Sequence, residues 1–165
     1  NLTRIGCHPS QWKAFLQARG PWMLFIPADG QIPPSEIEAF LAGAEGADVV
    51  ISWRKDRADP WMRRMFGLGY RLAIRLTLGL SVHDVDSCTM YRKSVIENMI
   101  GRVDPLGHFL PTEMLTRARK AGARVHEVVI RHLPRKAGKP SSILPLFLLK
   151  LPFRFAWFVL RVYRT

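Results

Sequence analysis

The stretch LFIPADGQIPPSEIEAFLAGAEGADVVISWR, Leu24 to Arg54, decides the fold. Apolar runs of strand length lie at its two ends, WMLFIP across its start and ADVVIS near its close. Neither run alternates apolar with polar residues, so each predicts a strand covered on both faces. Between them PPSEIEAFLAGAEG carries Pro and Ser at its start, acids in the first turn, and Ile37, Phe40 and Leu41 on one side, which predicts a helix. The same reading extends outward. SQWKAFLQAR has helical spacing through Trp12, Phe15 and Leu16 and stops at Gly20 and Pro21. Pro60 to Leu80 predicts a long helix whose apolar surface is broken by Arg63, Arg64, Arg71 and Arg75. CTMYRK predicts a strand, SVIENMI and PTEMLTRARKAG predict helices, and RVHEVVIRHL predicts a last strand. Helices alternating with buried strands give an α/β fold with a mostly parallel sheet flanked by helices. In such sheets ligands bind off the carboxyl ends of the strands, where Asp29 stands.

At 165 residues the chain has the size of one core. Its net charge is +12, which suits polyanionic partners such as phosphorylated substrates, anionic lipid or nucleic acid. Eight of those charges (Arg131, Arg135, Lys136, Lys139, Lys150, Arg154, Arg161 and Arg164) follow Glu127, the last acidic residue, so the basic character belongs to the tail. Cys7 and Cys88 are far apart and form no CxxC pair, which predicts free thiols. The start NLTRIGCHPS has no leader pattern, and without one its Asn-Leu-Thr is not expected to be glycosylated. His126 and His132 flank the last predicted strand at an even spacing and read as structural.

Local chemistry leaves two readings of Asp29. Asp29 and Gly30 make a common turn dipeptide. Asp29 and Gln31 are also oxygen-bearing side chains two apart beside a helix start, suited to a hard cation that bridges phosphates. The order of segments adds a resemblance. The Leu24–Arg54 run, then LGLSVHDVDSCTMYRKSVI, then HFLPTEMLTRARKAGARVHEVVIRHLPRKAGKPSS and a basic apolar tail resemble the family 2 inverting glycosyltransferases, in particular the polyprenyl-phosphate branch that includes dolichol-phosphate mannose synthases. The resemblance runs from about Leu16 to Ser142 and implies a glycosyltransferase A type, Rossmann-like fold.

What it implies can be carried over by position. Pro27-Ala28-Asp29-Gly30-Gln31 stands where the family has Asp-Ala-Asp, one residue and Gln. Asp29 and Gln31 would hold a divalent cation, Mg2+ or Mn2+, with Pro27 in place of the first Asp. Arg54 matches the family's arginine near the donor phosphates, and Arg63 or Arg64 a second basic position; solvated charge on a helix flank is the other reading of that pair. Asp84 and Asp86 match the acidic position facing sugar or acceptor, or are capping residues of a loop. Glu113 matches the acid of the acceptor helix, or is half of a surface i,i+4 pair with Arg117. Arg135, Lys136 and Ser141 in PRKAGKPSS match the acceptor-phosphate loop, or belong to an exposed basic linker. The resemblance implies a nucleotide-sugar donor, a polyprenyl phosphate acceptor, and catalytic roles for Asp29, Asp84, Asp86 and Glu113. The family's opening strand and βαβ unit, which grip the base, have no counterpart here, so the expectation is a partial catalytic domain over 1–142 with weak activity on its own.

Residues 143–165 form a separate expectation. ILPLFLLKLPFRFAWFVLRVYRT has the length of a spanning helix but contains four cations. On a helix, Lys150, Arg154, Trp157, Arg161 and Arg164 lie within roughly 40° of one line, with Leu, Phe, Val and Ala elsewhere. That pattern predicts a tail lying in an anionic membrane interface, on the cytoplasmic face, with Pro152 as a break point; packing on its own domain is the other reading. No nucleic-acid motif accompanies the charge, so nucleic acid is not the expected partner. A non-catalytic basic module that binds membrane or nucleic acid, and a family 2 transferase with a different acceptor, are the competing readings.

Overall fold

The computed structural model describes residues 6–54, 61–134 and 145–164, and of 61–64 and 145–149 the backbone only. In chain order the elements are α1 (Cys7–Gln17), β1 (Trp22–Leu24), a 3-10 turn (Pro34–Glu36) leading into α2 (Ile37–Ala42), β2 (Val49–Arg54), α3 (Trp61–Leu78), β3 (Thr89–Arg92), α4 (Lys93–Glu97), α5 (Leu110–Lys120), β4 (Val125–Ile130) and α6 (Pro145–Arg164). Every expected helix and strand is present.

The strand directions differ from expectation. The sheet order is β1-β3-β2-β4; β3 runs antiparallel to both neighbours, and only β2 and β4 pair in parallel. An unalternating apolar run reports burial on both faces, which β3 also has, and carries no information on direction. The sheet is therefore mixed. Val49, Ile51 and Tyr91 face a cluster built with Phe15 of α1, Ile74 of α3, Met114 of α5 and Phe158 of α6. Val50 and Met90 face Phe40 of α2 on the other side. The approach of α2 requires Gly43, since a Cβ there would stand 2.6 Å from Val128 Cγ1 and 3.1 Å from Val50 Cγ1.

Two consequences fix the site. Because β1 and β2 run against β3, the carboxyl ends of β1 and β2 and the amino end of β3 meet at one edge of the sheet. Because Phe155, Phe158, Val159 and Val162 join the core cluster, α6 packs on the domain along one side. It runs as one helix through Pro152. Among the described residues, no helix is long and apolar enough to cross a membrane.

Candidate active site

At the shared strand edge, Gly30 takes a left-handed conformation with φ of 71°, so the chain after β1 reverses tightly at Asp29 and Gly30. The Gln31 amide N–H donates to Asp29 Oδ1 at 3.1 Å, an Asx turn. Gln31 is anchored in turn: its Nε2 donates to the Leu133 carbonyl at 3.3 Å, and the Leu133 N–H donates to the Gln31 carbonyl at 2.8 Å. Arg131, just beyond β4, donates from Nε to Glu36 Oε1 at 2.6 Å. The Asp29 loop is thereby tied to the segment that leads into PRKAGKPSS.

Across the edge, Arg54 ends β2 and meets Asp84 in a two-point ion pair, Nε to Oδ2 at 2.7 Å and Nη2 to Oδ1 at 3.0 Å. Their side chains are 15% and 7% exposed. Arg54 Nη2 also reaches the Asp86 carbonyl at 3.5 Å. Burial lowers the Arg54 pKa, but the hydrogen bond and charge of Asp84 outweigh it, and the net direction is up. Cys88, buried under this edge, has its thiol pushed up to about 11, first by burial, then with Arg54 pulling it down and Asp29 and Asp84 pushing it up. Asp29 follows β1, Arg54 ends β2 and Asp84 precedes β3, all at this end of the sheet. Asp29 and Gln31 offer a carboxylate and an amide oxygen. That donor chemistry fits a hard divalent ion arriving with a diphosphate, which commonly takes only one or two protein carboxylates. Among the described residues no cluster of three or more acidic, His or Cys side chains forms a ready-made metal cage.

Of the other expected residues, Glu113 is not part of this cluster. It is fully buried; its Oε1 accepts from Arg117 Nε at 3.0 Å, its Oε2 accepts from Arg161 of α6, and the Asp104 N–H donates to it at 3.3 Å. The i,i+4 pair with Arg117 exists, but α6 covers it, so it is not a surface pair. Arg63 and Arg64 lie in the first turn of α3, where only the backbone is described, and Arg135, Lys136 and Ser141 lie outside the described residues. His126 Nδ1 sits 3.2 Å from the Gly43 carbonyl, a structural contact, and both cysteines are free. Spacing did not reveal the stack of His83 on Trp53 at 4.3 Å, with His83 Nδ1 2.9 Å from Glu127 Oε2, because the three come from different segments. A cavity of about 430 Å³, lined by Asp48, Asn98, Arg102, Lys120 and Tyr163 among others, lies at the opposite sheet edge, where β2 and β4 begin.

The sequence profile described as Glycosyl transferase family 2 matches residues 6–100. The chain belongs to glycosyltransferase family 2. An undecaprenyl-phosphate 4-deoxy-4-formamido-L-arabinose transferase of Pseudomonas fluorescens is 32% identical over 90% of the chain and 42% of its own length. The protein of the same name from Edwardsiella ictaluri is 32% identical over 81% of the chain and 40% of that protein. The chain thus spans less than half the length of these relatives. Among solved structures, glucosyl-3-phosphoglycerate synthase of Mycobacterium tuberculosis in complex with uridine diphosphate aligns with a TM-score of 0.63 at 15% identity, over 96% of the chain and 56% of that one. A second structure of that enzyme, holding Mn2+, uridine-diphosphate-glucose and glycerol 3-phosphate, aligns at 0.55. The family 2 domain therefore has the glycosyltransferase A type of fold, here with a mixed four-stranded sheet.

Proposed function

We propose that this family 2 chain transfers a sugar from a nucleotide donor to a polyprenyl phosphate, with inversion at the anomeric carbon. The observation that carries the reading is the meeting of Asp29, Gln31 and the Arg54–Asp84 pair at one strand edge, with Leu133 holding the start of the basic loop against Gln31. The printed names of the relatives support the acceptor class.

The mechanism follows from charge. An oxygen of the acceptor phosphate attacks the anomeric carbon as the bond from that carbon to the donor diphosphate breaks, and the nucleoside diphosphate leaves. A phosphate monoester is already anionic near neutral pH, so the attack needs little help from a base. The site's main task is to stabilise the leaving group. A divalent cation bound through Asp29 and Gln31 would supply Lewis-acid stabilisation of the diphosphate. Arg54 keeps a guanidinium charge there, and Asp84 fixes its plane; Nη1 has no partner among the described residues. Asp86 is proposed to orient sugar or acceptor hydroxyls, with Arg63 and Arg64 as further donor-side cations. Arg135, Lys136 and Ser141 are proposed to take the acceptor phosphate. Glu113 is proposed as a positioning residue, since its carboxylate is bound by Arg117 and Arg161. Residues 1–142 carry the chemistry, and 143–165 bring it to the cytoplasmic face of an anionic membrane.

The test is transfer of labelled sugar from a panel of nucleotide sugars to undecaprenyl phosphate, by the chain alone and by the chain joined to the amino-terminal part of the Pseudomonas fluorescens relative. Manganese-dependent transfer is expected from the joined protein. Asp29→Asn is expected to abolish manganese-dependent binding of nucleoside diphosphate in calorimetry, and Pro27→Asp to strengthen it. Equal affinity in all three forms overturns the role of Asp29, and transfer only to soluble sugar acceptors overturns the lipid acceptor.

A further inference from the structure

We infer that Glu127 of β4 is a positioning residue: it pins the loop before β3 at His83, so that Asp84 holds the Arg54 guanidinium in one orientation at the strand edge. The inference rests on the donor-side reading of Arg54 above. In β4, Val125, Glu127 and Val129 lie on one face, and Val125 packs against the core cluster. Acids are depleted in strands, and a carboxylate between two valines calls for a partner. Its partner is His83. Glu127 Oε2 accepts from the His83 backbone N–H at 3.0 Å and lies 2.9 Å from the ring Nδ1. One oxygen thus fixes both the chain and the ring of that residue. The ring lies on Trp53, with centroids 4.3 Å apart and planes 21° apart, and the His83 carbonyl accepts from Arg71 Nη1 at 3.4 Å.

His83 and Asp84 are consecutive, and so are Trp53 and Arg54 at the end of β2. Consecutive strand residues point to opposite faces. The loop therefore grips β2 twice, with the His83 ring on Trp53 at one face and the Asp84 carboxylate on Arg54 at the other. Beyond Asp84 it is fastened again where Ser87 Oγ meets Ser52 Oγ at 2.6 Å. Asp84 thus stands between two pins, and the nearer one comes from β4. A two-point contact between arginine and carboxylate depends on the plane of both groups, so a shift of the chain at His83 turns the guanidinium. The His83 side chain is 53% exposed and that of Glu127 25%. Water can therefore take up the His83 N–H when the carboxylate is removed. The loss is then one of local order and not of the fold. That separates Glu127 from Asp84, whose own removal takes the countercharge from an enclosed arginine.

The test reads the Arg54 side chain of the full chain by NMR, as exchange of its Nε–H with water, the resonance being assigned by its loss in Arg54→Lys. In Glu127→Ala that exchange is expected to quicken about tenfold, the scale of one lost hydrogen bond to a charged group. The melting temperature should stay within about 3 °C of the parent. Glu127→Gln keeps an oxygen for the His83 N–H and is expected to restore most of the slow exchange. Unchanged Arg54 exchange in Glu127→Ala overturns the inference. So does exchange that quickens equally at the backbone amides of β2 and β3, because the carboxylate then supports the sheet as a whole. A Glu127→Gln protein as fast as Glu127→Ala also overturns it, since the bond to His83 is then not what holds the arginine. The measurement needs no ligand, so its outcome is separate from the donor reading, which falls if Arg54→Gln leaves nucleoside diphosphate affinity unchanged.

Discussion

Arg54 and Asp84 sit thirty residues apart in the chain, yet their two-point pair is the most enclosed charge contact at the strand edge. A pair this enclosed contributes most while both partners are present, because removing one leaves the other's enclosed charge with less compensation. Arg54→Gln should therefore cost about 3 kcal/mol of stability in a denaturant titration and also weaken nucleoside diphosphate binding. Asp84→Asn, which keeps a hydrogen-bond acceptor but loses the charge, should destabilise too while leaving Arg54 to the ligand. If Asp84→Asn strengthens diphosphate binding, the aspartate competes with the phosphate; if it weakens binding with Arg54 intact, it orients the guanidinium. Both outcomes keep Arg54 on the donor side, and unchanged binding in Arg54→Gln removes it. The two residues could be picked out from sequence singly, but not as a pair. Their meeting is set by β3 lying between β1 and β2, and no local spacing records that register. Asp29 is legible for the opposite reason: a turn after a buried strand is a local feature, and the Asx turn to Gln31 is made within it.

At the scale of elements, α5 explains both what periodicity gives and where it stops. The Glu113–Arg117 spacing correctly placed the two side chains together. It could not show that α6 lies over them, because the period of one helix carries no record of its neighbour. Glu113 thus holds Arg117 of its own helix and Arg161 of the tail, while Arg161 also pairs with Asp104 at 2.8 Å. Removing the carboxylate takes from Arg117, 9% exposed, and from Arg161 the charge that Glu113 supplies to both. Glu113→Gln should lower the melting temperature by about 10 °C, corresponding to roughly 3 kcal/mol. Arg161→Gln should cost less, since Arg117 and Glu113 remain paired, but hydrogen exchange along 155–162 should quicken in both variants. A Glu113→Gln protein that melts normally yet fails in sugar transfer would return that residue to the reaction itself.

The whole molecule divides its charge and its apolar surface differently. Its basic excess is concentrated beyond Glu127, which reads from sequence as a tethering or phosphate-facing element on an ordinary domain. One face of that element packs on the domain: Phe155, Phe158 and Val162 fill the same cluster as Ile74 and Met114, and Phe109 stacks on Phe158 at 5.0 Å. Sequence alone could not decide this, because one face of an amphipathic helix suits a membrane and a domain core equally well. Burying a large apolar side chain contributes about 1.5–3 kcal/mol, so these three together supply on the order of 5 kcal/mol or more. That is comparable with the whole stability of a small domain. Deleting 144–165 should therefore not release an intact soluble domain. The expected product aggregates or binds a hydrophobic dye, and it lacks a cooperative melt in calorimetry. A deleted chain that melts cooperatively near the parent temperature would mean that α6 contributes little to folding. By contrast, replacing Lys150 and Arg164 by Gln leaves the buried face untouched and should keep the melt while weakening vesicle binding at low salt. The contrast between those two variants separates the two roles of α6, one inside the domain and one facing outward.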